Sequence, residues 1–291
     1  MPPMLEDAFA DIIGKARFGK DWSLLELERR SKVSEERIAA LEAEAAPEQN
    51  EITSLGASLD LDGKKLRESA ETSWEPSLNS PYLPDPDLTT SHDMIHVIDG
   101  KIGGYGVNGY FFIDWKRKEC VLFDTGYSPS KVITFLKENG VRLVAVCLTH
   151  SHPDHIGGIE KIQSHLDMPV YLHRNEALNN IRLKRQVEVK EEMTIEVGRF
   201  KITAKLTPGH TDGGTTYFID ASPLMSTTLA FVGDALFAGS IGRAKSSQTY
   251  PTLLKSVKNV ILSFPPATLL FPGHGPVTTV AEENAHNPFF K

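Results

Sequence analysis

The chain has 291 residues, 40% hydrophobic and 24% charged, with a formal net charge of −7. This length allows one large or two moderate domains, and the composition is that of an ordinary globular protein. No apolar run approaches the ~20 residues that span a bilayer. The acidic start Met1–Asp7 lacks the basic and then apolar pattern of a secretory signal. Cys120 and Cys147 sit in apolar runs and read as reduced, strand-buried residues of a cytoplasmic protein.

Residues 1–75 read as a small all-helical domain. Leu5, Phe9, Ile12 and Ile13 recur at helical spacing. Ser34 is placed to cap a helix over Glu35–Glu42, because its hydroxyl can accept an orphan amide hydrogen and Glu36 suits the positive helix end. A further helix is expected over Glu51–Leu59, with Leu61–Leu66 closing the unit. Trp22-Ser23, Glu26-Leu27, Val33-Ser34, Ile38, Leu41 and Glu42 give a spacing similar to the Cro/repressor helix-turn-helix. That resemblance implies a DNA-binding regulator. The charge opposes it: residues 1–75 hold 10 Lys and Arg against 17 Asp and Glu, and DNA affinity rests on cationic neutralisation of phosphates. Nucleic acid is therefore not the expected partner. A helical module this small and acidic needs a partner surface, which points to a homodimer.

Residues 76–91 are a Pro-rich linker, since neither a helix nor a central strand tolerates that proline density. From residue 92 to 291 the pattern is of strands and intervening helices. Met94–Ile98, Gly109–Trp115, Cys120–Phe123, Pro169–His173, Met193–Val197 and Phe200–Leu206 read as strands. Ser130–Asn139 is a helix ended by Gly140, and Pro251–Phe264 carries the last long helix.

The chemistry concentrates where apolar runs end. Val141–Leu148 leads into Thr149-His150-Ser151-His152-Pro153-Asp154-His155. Three later apolar runs each end in a glycine turn that carries a further candidate ligand: His210, Asp234 and His274. Imidazole and carboxylate are donors for zinc, iron and manganese. Four such strand ends point to one metal site.

With His-x-His-x-Asp-His followed by His, Asp and His, residues 92–291 resemble the metallo-β-lactamase superfamily. The resemblance implies a four-layer αβ/βα sandwich and two divalent metal ions, zinc first, with iron or manganese as alternatives. It implies that His150, His152 and His210 hold one ion, that Asp154, His155 and His274 hold the other, and that Asp234 bridges them. Asp124-Thr125-Gly126 would support the metal loop. Gly233–Phe237, Ile241-Gly242-Arg243 and the ending Asn287-Pro288-Phe289-Phe290 are similar to the glyoxalase II group. That similarity implies hydrolysis of a thioester such as an S-acylglutathione, with Asp154 accepting the proton of the attacking water. Arg243 and Lys245 would bind the substrate. The chain departs from that group at Ala244–Ser247 and lacks its long C-terminal helical domain. Alternatives are a mononuclear-iron persulfide dioxygenase, another hydrolase such as a lactonase, or a regulator with a metal-dependent sensor domain.

Overall fold

The computed structural model describes residues 5–77, 94–221 and 228–291. The expected linker at 76–91 lies almost wholly outside the described residues.

Two six-stranded sheets stack face to face. The first runs in sequence order through β1 (Ile95–Ile102), β2 (Tyr105–Asp114), β3 (Glu119–Phe123), β4 (Arg142–Cys147), β5 (Val170–His173) and β6 (Gln186–Val189). The second sheet contains β7 (Thr194–Val197), β8 (Phe200–Leu206), β9 (Thr215–Asp220) and β10 (Thr228–Gly233). After a two-stranded ribbon, β11 (Leu236–Phe237) and β12 (Ser240–Ile241), it is completed by β13 (Leu269–Pro272) and β14 (Thr278–Thr279). β10 is central, antiparallel to β9 and parallel to β13.

Alternation along the strands builds the layers, because successive side chains point to opposite faces. In β2, Tyr110 and Phe112 enter the core between the sheets, while Phe111 and Ile113 face a second core under helices. Those helices include Pro129–Asn139, which Gly140 ends at φ +61°, and Ile159–His165. In β10, Leu229 and Phe231 enter the inter-sheet core, while Ala230 and Val232 face a third core. The result is the αβ/βα sandwich that the resemblance implies, with an N-terminal helical region.

Five N-terminal helices precede the sheets: α1 (Phe9–Gly19), α2 (Leu24–Ser31), α3 (Glu35–Glu42), α4 (Gln49–Leu59) and α5 (Gly63–Ala70). Ser34 caps α3, with its hydroxyl accepting from the Arg37 amide at 3.3 Å. These helices do not close on a core of their own. Ile12, Ile13, Leu27, Ile38, Leu41, Leu55 and Leu66 share the third core with Val232, Leu236, Ile241, Leu253 and Leu270. The helical unit thus meets an apolar surface within the chain. Basic residues of the helical unit are engaged with acids: Arg17 with Glu42, Arg30 with Glu26, and Arg37 with Glu51.

The last long helix is shorter than its expected span. Tyr250–Ser256 is α-helical, and Val257–Ile261 continues as a π turn. Cys120 and Cys147 are buried and unpaired. No helix among the described residues is long and apolar enough to cross a membrane.

Candidate metal centre

The strand ends deliver all seven expected ligands to one place. His150 and His152 follow β4, and Asp154 and His155 lie in the short helix Pro153–Ile156. His210 follows β8, Asp234 follows β10, and His274 follows β13. His150, His152, His210 and Asp234 form one group whose donor atoms lie within 4.8 Å of one another, and Asp154, His155 and His274 form a second. Asp234 faces both groups. Its Oδ1 is 3.2 Å from His155 Nε2, and its Oδ2 is 3.4 Å from His274 Nε2 and 3.6 Å from His210 Nε2.

Close approach of backbone makes this convergence possible. A Cβ on Gly273 would stand 2.3 Å from Asp234 Oδ1 and 2.4 Å from the His155 ring. Gly233 adopts φ +52°, and a Cβ there would meet the Thr149 hydroxyl at 2.4 Å.

The hydrogen-bond network fixes which imidazole nitrogens carry protons. Thr149 Oγ1 donates to Asp124 Oδ2 at 2.7 Å, so it accepts from His150 Nδ1 at 3.0 Å. His210 Nδ1 donates to the Arg243 carbonyl at 2.7 Å. Burial holds both imidazoles below the ordinary histidine pKa, His150 well below it. Both Nε2 atoms therefore present lone pairs, and both point at His152 Nδ1, each at 3.0 Å. His152 Nδ1 holds at most one proton. At most one of the two 3.0 Å contacts can therefore be a hydrogen bond, and at least one Nε2 lone pair is left without a donor, which a cation would satisfy.

The second group carries the opposite imbalance. His155 Nδ1 donates to Asp124 Oδ2 at 2.8 Å, and His274 Nδ1 donates to the Gly106 carbonyl at 2.5 Å. Their Nε2 atoms face carboxylates, His155 towards Asp234 and His274 towards Asp154 at 3.2 Å. Burial opposes protonation of His155, but Asp234 and then Asp124 outweigh it and raise the group to about 10. His274 is raised to about 11 against the same opposition, foremost by Asp234 and Asp154. Burial disfavours the Asp234 carboxylate, yet His155 and His274 hold it well below its ordinary value. His155 Nε2 and Asp234 Oδ1 are buried without a hydrogen-bond partner. Such orphans are costly in low dielectric, and divalent cations would satisfy them. The donor set fits the metals that the fold implies.

Two supporting residues tie the loops together. Asp124 accepts from the Thr149 amide, the Thr149 hydroxyl and His155 Nδ1. Glu176, which the sequence reading missed, is buried at the exit of β5. Its Oε2 accepts from the amide and hydroxyl of Ser151, each at 2.8 Å, and its Oε1 accepts from the Gly213 amide at 2.9 Å. It thereby joins the His150–His152 loop to the His210 loop. A lone glutamate in a polar turn carries no signal of this in sequence. Glu176→Gln presents an NH₂ to donors and leaves at least one of them without an acceptor. Cation affinity of the His150/His152/His210 group is expected to fall about 10–100-fold, read by chelator competition, with the His274 group unaffected.

The expected substrate anchors differ in their surroundings. Lys245 is paired with Asp212 beside a cleft of about 190 Å³ bordered by His152, His210, Asn175 and Glu176. The exposed Arg243 guanidinium lies over the Phe18 ring of α1, 4.5 Å from its centroid. Among the described residues it has no carboxylate partner. It borders a groove of about 240 Å³ lined by residues of α1 and by Glu42 of α3. His173, outside the metal motif, faces Gly213 and accepts from the Asn175 amide at 3.3 Å.

A family model described as "Metallo-beta-lactamase superfamily" matches residues 102–274. The probable metallo-hydrolase YqgX of Bacillus subtilis (strain 168) is 34% identical over 205 residues, spanning 65% of this chain and 94% of that protein. Among solved structures, the BLEG-1 B3 metallo-beta-lactamase is 29% identical with a TM-score of 0.58. It covers 67% of this chain and 100% of its own. TTHA1623, solved in a di-iron-bound form, is 30% identical with a TM-score of 0.54 and the same coverage.

Proposed function

The chain belongs to the metallo-beta-lactamase superfamily, and we propose that it is a dinuclear metal-dependent hydrolase acting on a thioester such as an S-acylglutathione. The observation that carries the metal reading is the pair of Nε2 lone pairs, from His150 and His210, aimed at His152 Nδ1. His150, His152 and His210 would hold one ion; Asp154, His155 and His274 would hold the second, with Asp234 between them. Two divalent cations, when bound, would acidify a water and polarise the scissile carbonyl. Zinc, iron and manganese all suit imidazole and carboxylate donors. The names of similar proteins support both parts, a metallo-hydrolase on one side and a di-iron site on the other.

The residues around the ligands supply the rest. Asp154, less buried than Asp234, is the acceptor for the attacking water's proton. A thiolate leaves readily, so no strong general acid is required. Arg243 follows Gly242, where a Cβ would stand 3.2 Å from His210 Nδ1, and its side chain borders the groove beside α1. With its charge uncompensated by a carboxylate among the described residues, it is the better anchor for an acidic substrate tail than the paired Lys245. Nucleic acid is not proposed as a partner, because the arginines of α1–α3 are largely committed to glutamates.

The test is thiol release from S-lactoylglutathione by purified protein. Release is expected, with KM rising about tenfold or more in Arg243→Ala through loss of one charge-assisted contact. No release, together with oxygen uptake on a glutathione persulfide, would replace this reading with the persulfide dioxygenase.

A further inference from the structure

The family match begins at residue 102, so the N-terminal helical unit lies outside it. Its contacts with the metal centre give it a role. Lys15 of α1 donates to the Asp7 carboxylate and, at 2.8 Å, to the carbonyl of Ile241 in β12. Asp7 is buried and also accepts from the hydroxyl of Ser240. The Lys15 ammonium sits 4.7 Å from the centroid of the Phe237 ring in β11. Phe237 in turn sets its ring against His274, with centroids 5.6 Å apart and planes at 86°. The His274 ring is thus held between the Gly106 carbonyl and Phe237.

The same corner is closed at two more points. A Cβ on Gly275, next to His274, would stand 3.2 Å from the amide nitrogen and Cβ of Glu6. A Cβ on Gly239, in the turn between β11 and β12, would stand 2.9 Å from the Trp74 ring. Residues from both ends of the helical unit therefore clamp the ribbon and the His274 loop.

We propose that the N-terminal helical unit is a brace of the metal centre, with the Asp7–Lys15 pair positioning Phe237 and, through it, His274. This rests on the reading of His274 as a metal ligand. The physical ground is that metal affinity depends on groups that fix ligand orientation, and loss of such a group typically weakens binding about 10–100-fold. Lys15 is a positioning residue, since it contacts the ribbon and not the ligands.

Lys15→Met keeps the apolar stem but removes both donated hydrogen bonds and the charge over Phe237. Chelator competition with zinc-loaded protein should show the His274 group releasing its ion about tenfold more readily, with the His150/His152/His210 group unchanged. The kcat should fall, and Lys15→Arg, which keeps the charge and the donors, should restore retention. Ile38→Val, a core change in α3 remote from the ribbon, controls for stability alone. If Lys15→Met does not fold, Ser240→Ala removes only the hydroxyl on Asp7 and should show a smaller shift in the same direction. Wild-type retention of both ions in the variants, or equal loss in Ile38→Val, would overturn the brace. A wild-type protein that binds no second ion would instead overturn the dinuclear reading.

Discussion

Asp234→Asn is expected to lower kcat by at least about a thousandfold while leaving the fold intact. Among the described carboxylates, Asp234 faces His155, His210 and His274 together. Asparagine keeps its shape but removes the charge that would offset repulsion between two bound dications. Metal-based stabilisation of developing charge amounts to several kcal/mol, and each ~1.36 kcal/mol is a factor of ten in rate. The buried site gives water little opportunity to replace the lost charge. Steady-state hydrolysis with metal content measured in the same samples checks this. A variant with wild-type kcat and full metal would exclude a bridging role.

The second large effect concerns protons. In metal-free protein at pH 7, His155 and His274 hold protons, because nearby carboxylates raise them to about 10 and about 11. Their folded-state values lie above the ordinary histidine value of ~6.5. The stability they contribute is therefore fully present below about pH 6.5, declines progressively above it, and is gone once pH has risen through 10 and 11. The metal-free protein should remain folded at neutral pH. A ligand nitrogen must shed its proton to coordinate, so metal uptake at pH 7 should release about two protons per chain. Zinc titrations by calorimetry in two buffers of different ionisation enthalpy measure that number. Heats independent of buffer would contradict the assignment of His155 and His274 as ligands.

The sandwich and the convergence of the seven candidate residues were legible in the sequence for a local reason. His150, His152, Asp154 and His155 lie within six residues of one strand end, and His210, Asp234 and His274 each follow an apolar run with glycine beside them. The supports were harder to read. Thr149 relays between Asp124 and His150, yet in sequence it is an ordinary residue at a strand end. Glu176 sits in the polar run Arg174-Asn175-Glu176, and its partners Ser151 and Gly213 lie 25 and 37 residues away. Helical periodicity identified Phe9, Ile12 and Ile13 as a buried face but not what buries it. Lys15 gives no sign in sequence of its contacts with the ribbon, since Phe237 and Ile241 lie more than 200 residues on, Ile241 by 226. The sequence suggested a separate helical domain because amphipathic spacing is local, whereas the shared core with β10, β12 and β13 depends on the fold.

The most direct test of a dinuclear centre is the metal-to-protein ratio of purified wild type, His210→Ala and His274→Ala. Two ions in the wild type and one in each variant is the predicted result. A wild-type ratio of one iron, lost in His210→Ala and kept in His274→Ala, would contradict it and leave a mononuclear site.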